Sequence, residues 1–181
     1  MSVPAEAEGG GGRAALWMAG AIASFSLMAV GGRELSGALD TFEIMSWRSA
    51  IGLAIVAAVG LAQRRLAEIR TRRPGAHLLR NVLHFTGQNL WFYAVAVIPL
   101  AQVFALEFTT PIWVALLAPL VLAERMTPVR LAAASLGFAG VLLVARPGPT
   151  PVEVGHVAAF SAALGFAGNV LATKSLSRTE T

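Results

Sequence analysis

Apolar runs recur six times along the chain, at approximately residues 14–31, 42–62, 78–98, 100–122, 128–145 and 155–172, with short polar gaps between them. Each run holds about 18–23 residues, which at helical rise matches roughly 30 Å of hydrocarbon. The pattern predicts an all-α, polytopic transmembrane helical bundle. The third and fourth runs form one apolar stretch about twice a membrane in length. Pro99 divides them, because its ring lacks an N–H and clashes with the preceding turn. Pro128 falls in the first turn of the fifth helix, where proline is tolerated.

Composition agrees with that reading. Apolar residues make up 56% of the chain and charged residues 13%, against roughly 25% charged in a soluble domain. The charges are also sorted. Arg64, Arg65, Arg70, Arg72, Arg73 and Arg80 fill one gap with only Glu68 opposing them; Arg125 and Arg130 flank another, and Arg13, Lys174 and Arg178 lie at the chain's ends. The alternate gaps hold only Arg33 and Arg146, with Arg48 inside a run. The positive-inside bias predicts a multi-pass protein of the cell inner membrane, with the N-terminus and residue 181 both cytoplasmic. A net charge of +4 accompanies no nucleic-acid motif, and contact with the lipid bilayer accounts for the arginines. Residues 19–21 resemble a signal-peptidase site, but the apolar run continues past them, and Glu6 and Glu8 occupy what would be a basic region. No cysteine is present, which excludes disulfides and thiolate chemistry.

The sixth run matches the first at an offset of 141 residues. Phe25 falls on Phe166, and the tail Arg33, Glu34, Leu35, Ser36 falls on Lys174, Ser175, Leu176, Ser177. The two runs cross in opposite directions, so the sixth is expected to open an inverted copy of the first five. The proline- and glycine-rich residues 146–151 supply a seam.

Polar groups inside the runs mark candidate chemistry. Arg48 sits roughly 9 Å inside the second helix and Glu107 roughly 10 Å inside the fourth, from the same side. A lone charge in hydrocarbon costs about 2.5–3.5 kcal/mol or more, so the two are expected to pair or to share one hydrated cavity. A packing salt bridge is the plain alternative. In the third helix Asn81, His84, Gln88 and Trp91 recur at three- and four-residue spacing on one face, with Asn89 and Tyr93 on an adjacent edge. Such a face suits a solute path by offering hydrogen bonds and stacking surfaces; helix–helix adhesion or an interfacial aromatic belt is the alternative. Pro111 and Pro119 interrupt the fourth helix beside Thr109 and Thr110 and are candidates for a kink or gate. Gly137 and Gly140 are spaced for close helix contact in the fifth. No metal-ligand spacing, phosphate loop or nucleophile elbow appears, so neither an enzyme nor a cofactor is expected. Gly9–Gly12 lacks a following lysine and is expected in a disordered tail.

Several segments together carry a family resemblance: Arg48 early in helix two, Asn89–Ala94 in helix three, Pro111 in a run ending Leu122, Ala123, Glu124, Arg125, and Gly137–Leu143 in helix five. Their order and spacing resemble the EamA-like permeases of the drug/metabolite transporter superfamily. The resemblance implies ten helices in two five-helix repeats around a central pathway, of which this chain carries one repeat and the opening helix of the next. It accordingly predicts a cytoplasmic tail at 1–13, the first repeat at 14–145, a periplasmic linker at 146–154 and the start of the second repeat at 155–181, in an apparently truncated product. It implies secondary transport of a small-molecule solute, a metabolite or drug, in the export direction and by alternating access in the complete carrier. Proton coupling through Glu107 and either a homo-oligomer or missing second-half helices belong to the same expectation. A non-transporting membrane fragment or assembly subunit is the rival.

Overall fold

The computed structural model of the chain describes residues 7–64, 71–123, 127–145 and 151–180. Arg65, Glu68, Arg70, Glu124, Arg125 and residues 146–150 of the expected 146–151 seam lie outside them, as do residues 1–6 and 181. Within them the chain is helical between turns: α1 (Ala7–Leu35), α2 (Thr41–Ala62), α3 (Pro74–Val97), α4 (Leu100–Glu107), α5 (Thr110–Leu122), α6 (Pro128–Ala145) and α7 (Val154–Leu176).

Local chemistry sets these boundaries. Asp40 Oδ1 accepts the N–H of Glu43, while Glu43 Oε2 accepts the N–H of Asp40, both at 2.9 Å; this reciprocal cap starts α2. Prolines open α3 and α6, where a missing N–H costs nothing. Pro99 ends α3, as expected. The fourth apolar run is split at Phe108–Thr109 into α4 and α5. Pro111 explains the break, since it has no N–H to offer the carbonyl of Glu107 four residues earlier. Pro119 lies inside α5 without interrupting it. α1 begins at Ala7, which makes Gly9–Gly12 helical rather than part of a disordered tail. Propagation from an established helix adds one hydrogen bond per residue, and this offsets the poor propensity of glycine.

Among the described residues four segments are both long and apolar enough to cross a membrane: Gly12–Leu35, Thr41–Ala62, Leu100–Leu122 and Val154–Leu176. Six had been expected. α3 has the length, at 24 residues, but carries a polar stripe; α6 is apolar over the shorter Leu131–Gly140. Packing explains how α3 tolerates its polarity. It contacts α1, α2, α4 and above all α7, which bury Gln88 and Trp91 while apolar Leu78, Leu79, Val82 and Phe85 stay exposed. The outer surface is the reverse of a soluble protein's, with Leu16, Leu120, Val129 and Leu143 all widely exposed. The molecule is an all-α, multi-pass membrane bundle.

The α3–α7 seam is built on small residues. Ala158, Ala159, Ala162 and Ala163 are buried along α7. A Cβ at Gly165 would stand 3.2 Å from Gly87 Cα and 3.2 Å from the Leu83 carbonyl oxygen, which shows how closely the backbones approach. Gly137 and Gly140, by contrast, have nothing within 4 Å of an added Cβ, so the close contact expected of them is not made.

α1 and α7 end alike. Their last residues, Leu35 and Leu176, are separated by the same 141 positions as the sequence match. Ser36 Oγ donates to the Arg33 carbonyl at 2.7 Å, and Ser177 Oγ to the Lys174 carbonyl at 2.9 Å. The N–H groups of the same serines bond the carbonyls of Gly32 and Thr173.

Candidate functional site

α3 supplies the centre of the site. Its Gln88 and Trp91 are 7% and 3% exposed, one helical turn apart on the face turned towards α4 and α7. Gln88 Oε1 accepts a hydrogen bond from Arg48 Nη1 of α2, and the same guanidinium nitrogen lies 3.9 Å from Met45 Sδ. Trp91 Nε1–H donates to Glu107 Oε2 at 2.7 Å. Glu107 closes α4, where Pro111 breaks the run and turns the chain into α5.

Gln88, Trp91 and Glu107 border a cavity of about 350 Å³ among α1, α3, the α4–α5 break and α7, while Arg48 lies outside it. His84, Gln88, Trp91, Glu107, Thr110 and Pro111 all line it, so six of the residues singled out from sequence meet at one place. Thr110 is tied to α7 through its hydroxyl, which donates to the Ala163 carbonyl at 3.4 Å. The His84 ring lies 6.2 Å from that of Phe166, tilted by 50°.

The expected Arg48–Glu107 ion pair is not formed. Matching depth brings two charges to one level but leaves their direction around the helix open. Here the Gln88 side chain takes the guanidinium, and the Trp91 indole takes the carboxylate. Among the described residues no cation pairs with Glu107. Asn89 and Tyr93 do not line the cavity; Asn89 Nδ2 donates to the Phe85 carbonyl of its own helix at 2.9 Å, and Tyr93 is 40% exposed. Asn81 is also exposed.

Six lining residues had not been proposed for the site: Phe25 and Met28 on α1, Phe108 at the α4–α5 break, and Phe166, Asn169 and Val170 on α7. Phe25 with Phe166 and Met28 with Asn169 form two pairs at the offset of 141. Asn169 was readable, as an amide within the sixth apolar run. Its Oδ1 and His84 Nδ1 are buried without a hydrogen bond.

Two larger and more apolar clefts flank α6. One of about 410 Å³ is bordered by Gln102 and His156, whose Oε1 and Nε2 are 2.9 Å apart. His156 Nδ1 accepts the Glu153 N–H at 3.0 Å, so Nε2 carries the proton and donates to Gln102. The other cleft, of about 640 Å³, runs along α5, α6 and α7.

The model of the EamA-like transporter family matches residues 12–146. The chain belongs to the EamA-like transporter family. This EamA-like chain is 34% identical over 137 residues to a riboflavin transporter of Brucella anthropi, a match covering 76% of the chain and 48% of that protein. It is 33% identical over 169 residues to a riboflavin transporter of Rhizobium johnstonii, covering 92% and 55%. It is also 26% identical over 131 residues to an S-adenosylmethionine uptake transporter of Rickettsia bellii, covering 72% and 45%. The chain spans about half the length of the curated relatives it matches. No solved structure matches it. The family is one of transporters, so the EamA-like chain is not an enzyme.

Proposed function

We propose that the cavity at Gln88, Trp91 and Glu107 is the solute-binding part of a secondary carrier's pathway, and that the carrier works by alternating access. The observation that supports this most is Glu107: a carboxylate anchored by one indole N–H, without a cationic partner among the described residues, bordering a cavity inside a membrane bundle. A group kept in so costly a position suits contact with cargo or with a coupling proton. α1 and α7, with equivalent ends and equivalent cavity residues, are the opening helices of two inverted repeats on this reading. The basic gaps orient the protein in the inner membrane with residues 72 and 180 on the cytoplasmic side. Export is the direction the resemblance implies; uptake, named for the Rickettsia bellii relative, is its rival.

The test is flux. The 181-residue chain is reconstituted into proteoliposomes, and riboflavin, S-adenosylmethionine and a metabolite panel are followed in both directions. Glu107→Leu is expected to abolish flux of whichever solute moves, at unchanged incorporation; unchanged flux would remove Glu107 from the pathway. A second reading, an assembly unit that moves solute only with further helices, draws support from the broad apolar clefts beside α6. Flux that requires co-reconstitution with a full-length relative would favour it.

A further inference from the structure

The cleft of about 640 Å³ between α5, α6 and α7 is as long as one leaflet. It follows α5 from Thr110 to Leu122, which at helical rise is roughly 18 Å, a little over half of a hydrocarbon core about 30 Å thick. One end is the α4–α5 break, where Phe108, Thr110 and Pro111 border it. The other end holds Leu122 of α5 and Lys174 in the last turn of α7. α5 and α7 run side by side in one direction: Thr110 bonds the Ala163 carbonyl, and Leu122 and Lys174 stand about equally far along from that point.

The wall between these ends is apolar, with Val114 and Ala118 on α5, Ala134 and Gly137 on α6 and Leu171 on α7. Small side chains keep it open, and the empty space that an added Cβ at Gly137 would meet belongs to it. Among the described residues bordering the cleft, Lys174 alone is charged. An apolar slot one leaflet long, with a cation at its membrane-surface end, repeats the order of an anionic lipid: tail, then phosphate. A transmembrane helix is a poorer match, because it needs a groove through both leaflets. Lys174 also has a neighbour within the protein; an ammonium carries three N–H groups, so such a contact does not exhaust it.

We infer that this cleft binds one anionic phospholipid, with an acyl chain between α5, α6 and α7 and the headgroup phosphate at the Lys174 ammonium. The lipid belongs to the leaflet on the Lys174 side, the inner one in the orientation proposed above. Its tail end meets Phe108, Thr110, Pro111 and Val170, which border the central cavity as well. The bound lipid therefore backs one wall of that cavity.

The test titrates the chain in neutral detergent with phosphatidylglycerol and with phosphatidylcholine of identical acyl chains, reading thermal melting. Both lipids are expected to raise the melting temperature, phosphatidylglycerol at a roughly fivefold lower half-saturating concentration, the effect of one lysine on an anionic lipid. Lys174→Gln should bring the two lipids within twofold of each other. Lys174→Arg keeps the charge and should keep the preference, which holds the test open if the glutamine variant is itself less stable. Ala134→Phe fills the cleft and should weaken both lipids alike. Phosphatidylglycerol with a diazirine in its acyl chain is expected to label α5 and α6, and less so in Ala134→Phe. Equal half-saturation by the two lipids in the native chain would overturn the inference, as would a preference that survives Lys174→Gln. Labelling confined to α1 and α2 would do the same, and so would a shift of equal size from soluble glycerol phosphate. None of these readouts depends on which solute the central cavity carries.

Discussion

Arg33 of α1 donates from Nε and Nη2 to the carbonyl oxygen of Val95 in α3, at 2.8 and 2.6 Å. The partner that carbonyl would normally find is the N–H four residues on, and that residue is Pro99. Nη2 also donates to the Ile98 carbonyl. The guanidinium therefore satisfies the Val95 carbonyl that the proline orphans, together with the Ile98 carbonyl just past the end of α3. As read from sequence, Arg33 had been only one of two basic residues in the sparsely charged gaps. Arg33→Ala is expected to destabilise the bundle by about 1–3 kcal/mol, the cost of leaving part-buried acceptors unmet. Arg33→Lys, with no planar fork, recovers part of that. Thermal unfolding in detergent micelles checks it; an alanine variant as stable as the native chain would refute the capping role.

Glycine-to-alanine changes separate two kinds of position. In an open helix the change gains up to about 1 kcal/mol, and Gly137→Ala, with nothing within 4 Å of the new methyl, should stabilise or leave the melt unchanged. Gly165→Ala places a Cβ 3.2 Å from the backbone of α3 and should lower stability by about 1–3 kcal/mol, because backbone cannot rotate away as a side chain can. Opposite signs in parallel melts are the expected result; equal shifts would contradict the close α3–α7 approach.

Those two glycines also show what the chain alone discloses. Apolar run length and proline position are local properties, and the break at Pro99 and the start of α6 at Pro128 followed from them. Glycine spacing within one helix is local too, but contact depends on which helix lies opposite. Gly137 meets open space, and Gly165 meets Gly87. The same limit explains Arg48 and Glu107. Their depths were legible from residue counts, whereas their partners depended on how α3 turns Gln88 and Trp91 between them. Asn89 looked like part of the polar face because it sits beside Gln88, yet its amide bonds back to Phe85. The site's α3 half was visible as a stripe at helical spacing. Its α7 half needed the fold, apart from the Phe25–Phe166 match and the Asn169 amide within the sixth run.

The proposed inversion of α1 and α7 makes a topological prediction. Ala38 and Thr179 are exposed, stand just past the ends of the two helices and differ by the same 141 positions. The chain has no cysteine, so single substitutions give a clean label. Ala38→Cys should react with a membrane-impermeant maleimide in intact cells, and Thr179→Cys only after permeabilisation. Arg72→Cys should behave like Thr179→Cys, since the Arg72 N–H reaches the Glu180 carboxylate at 3.1 and 3.2 Å. Labelling of Ala38→Cys and Thr179→Cys from one side would rule out the inversion.

Glu107 offers a way to separate a coupling role from a purely recognising one. If its carboxyl carries the coupling proton, flux in proteoliposomes responds to an imposed pH gradient, and the residual flux of Glu107→Gln does not, because an amide has no proton to exchange in this range. Trp91→Phe keeps the carboxylate and removes the bond that holds Oε2 at 2.7 Å. Losing one hydrogen bond to a charged group costs about 1.5–3 kcal/mol, so flux should fall roughly ten- to hundredfold while the gradient response persists. The two variants thus separate positioning from proton exchange: one slows transport and keeps its pH response, the other loses that response. A Glu107→Gln protein whose flux still follows the gradient would place the coupling group elsewhere, and His84, the other titratable residue bordering the cavity, would be the next to replace.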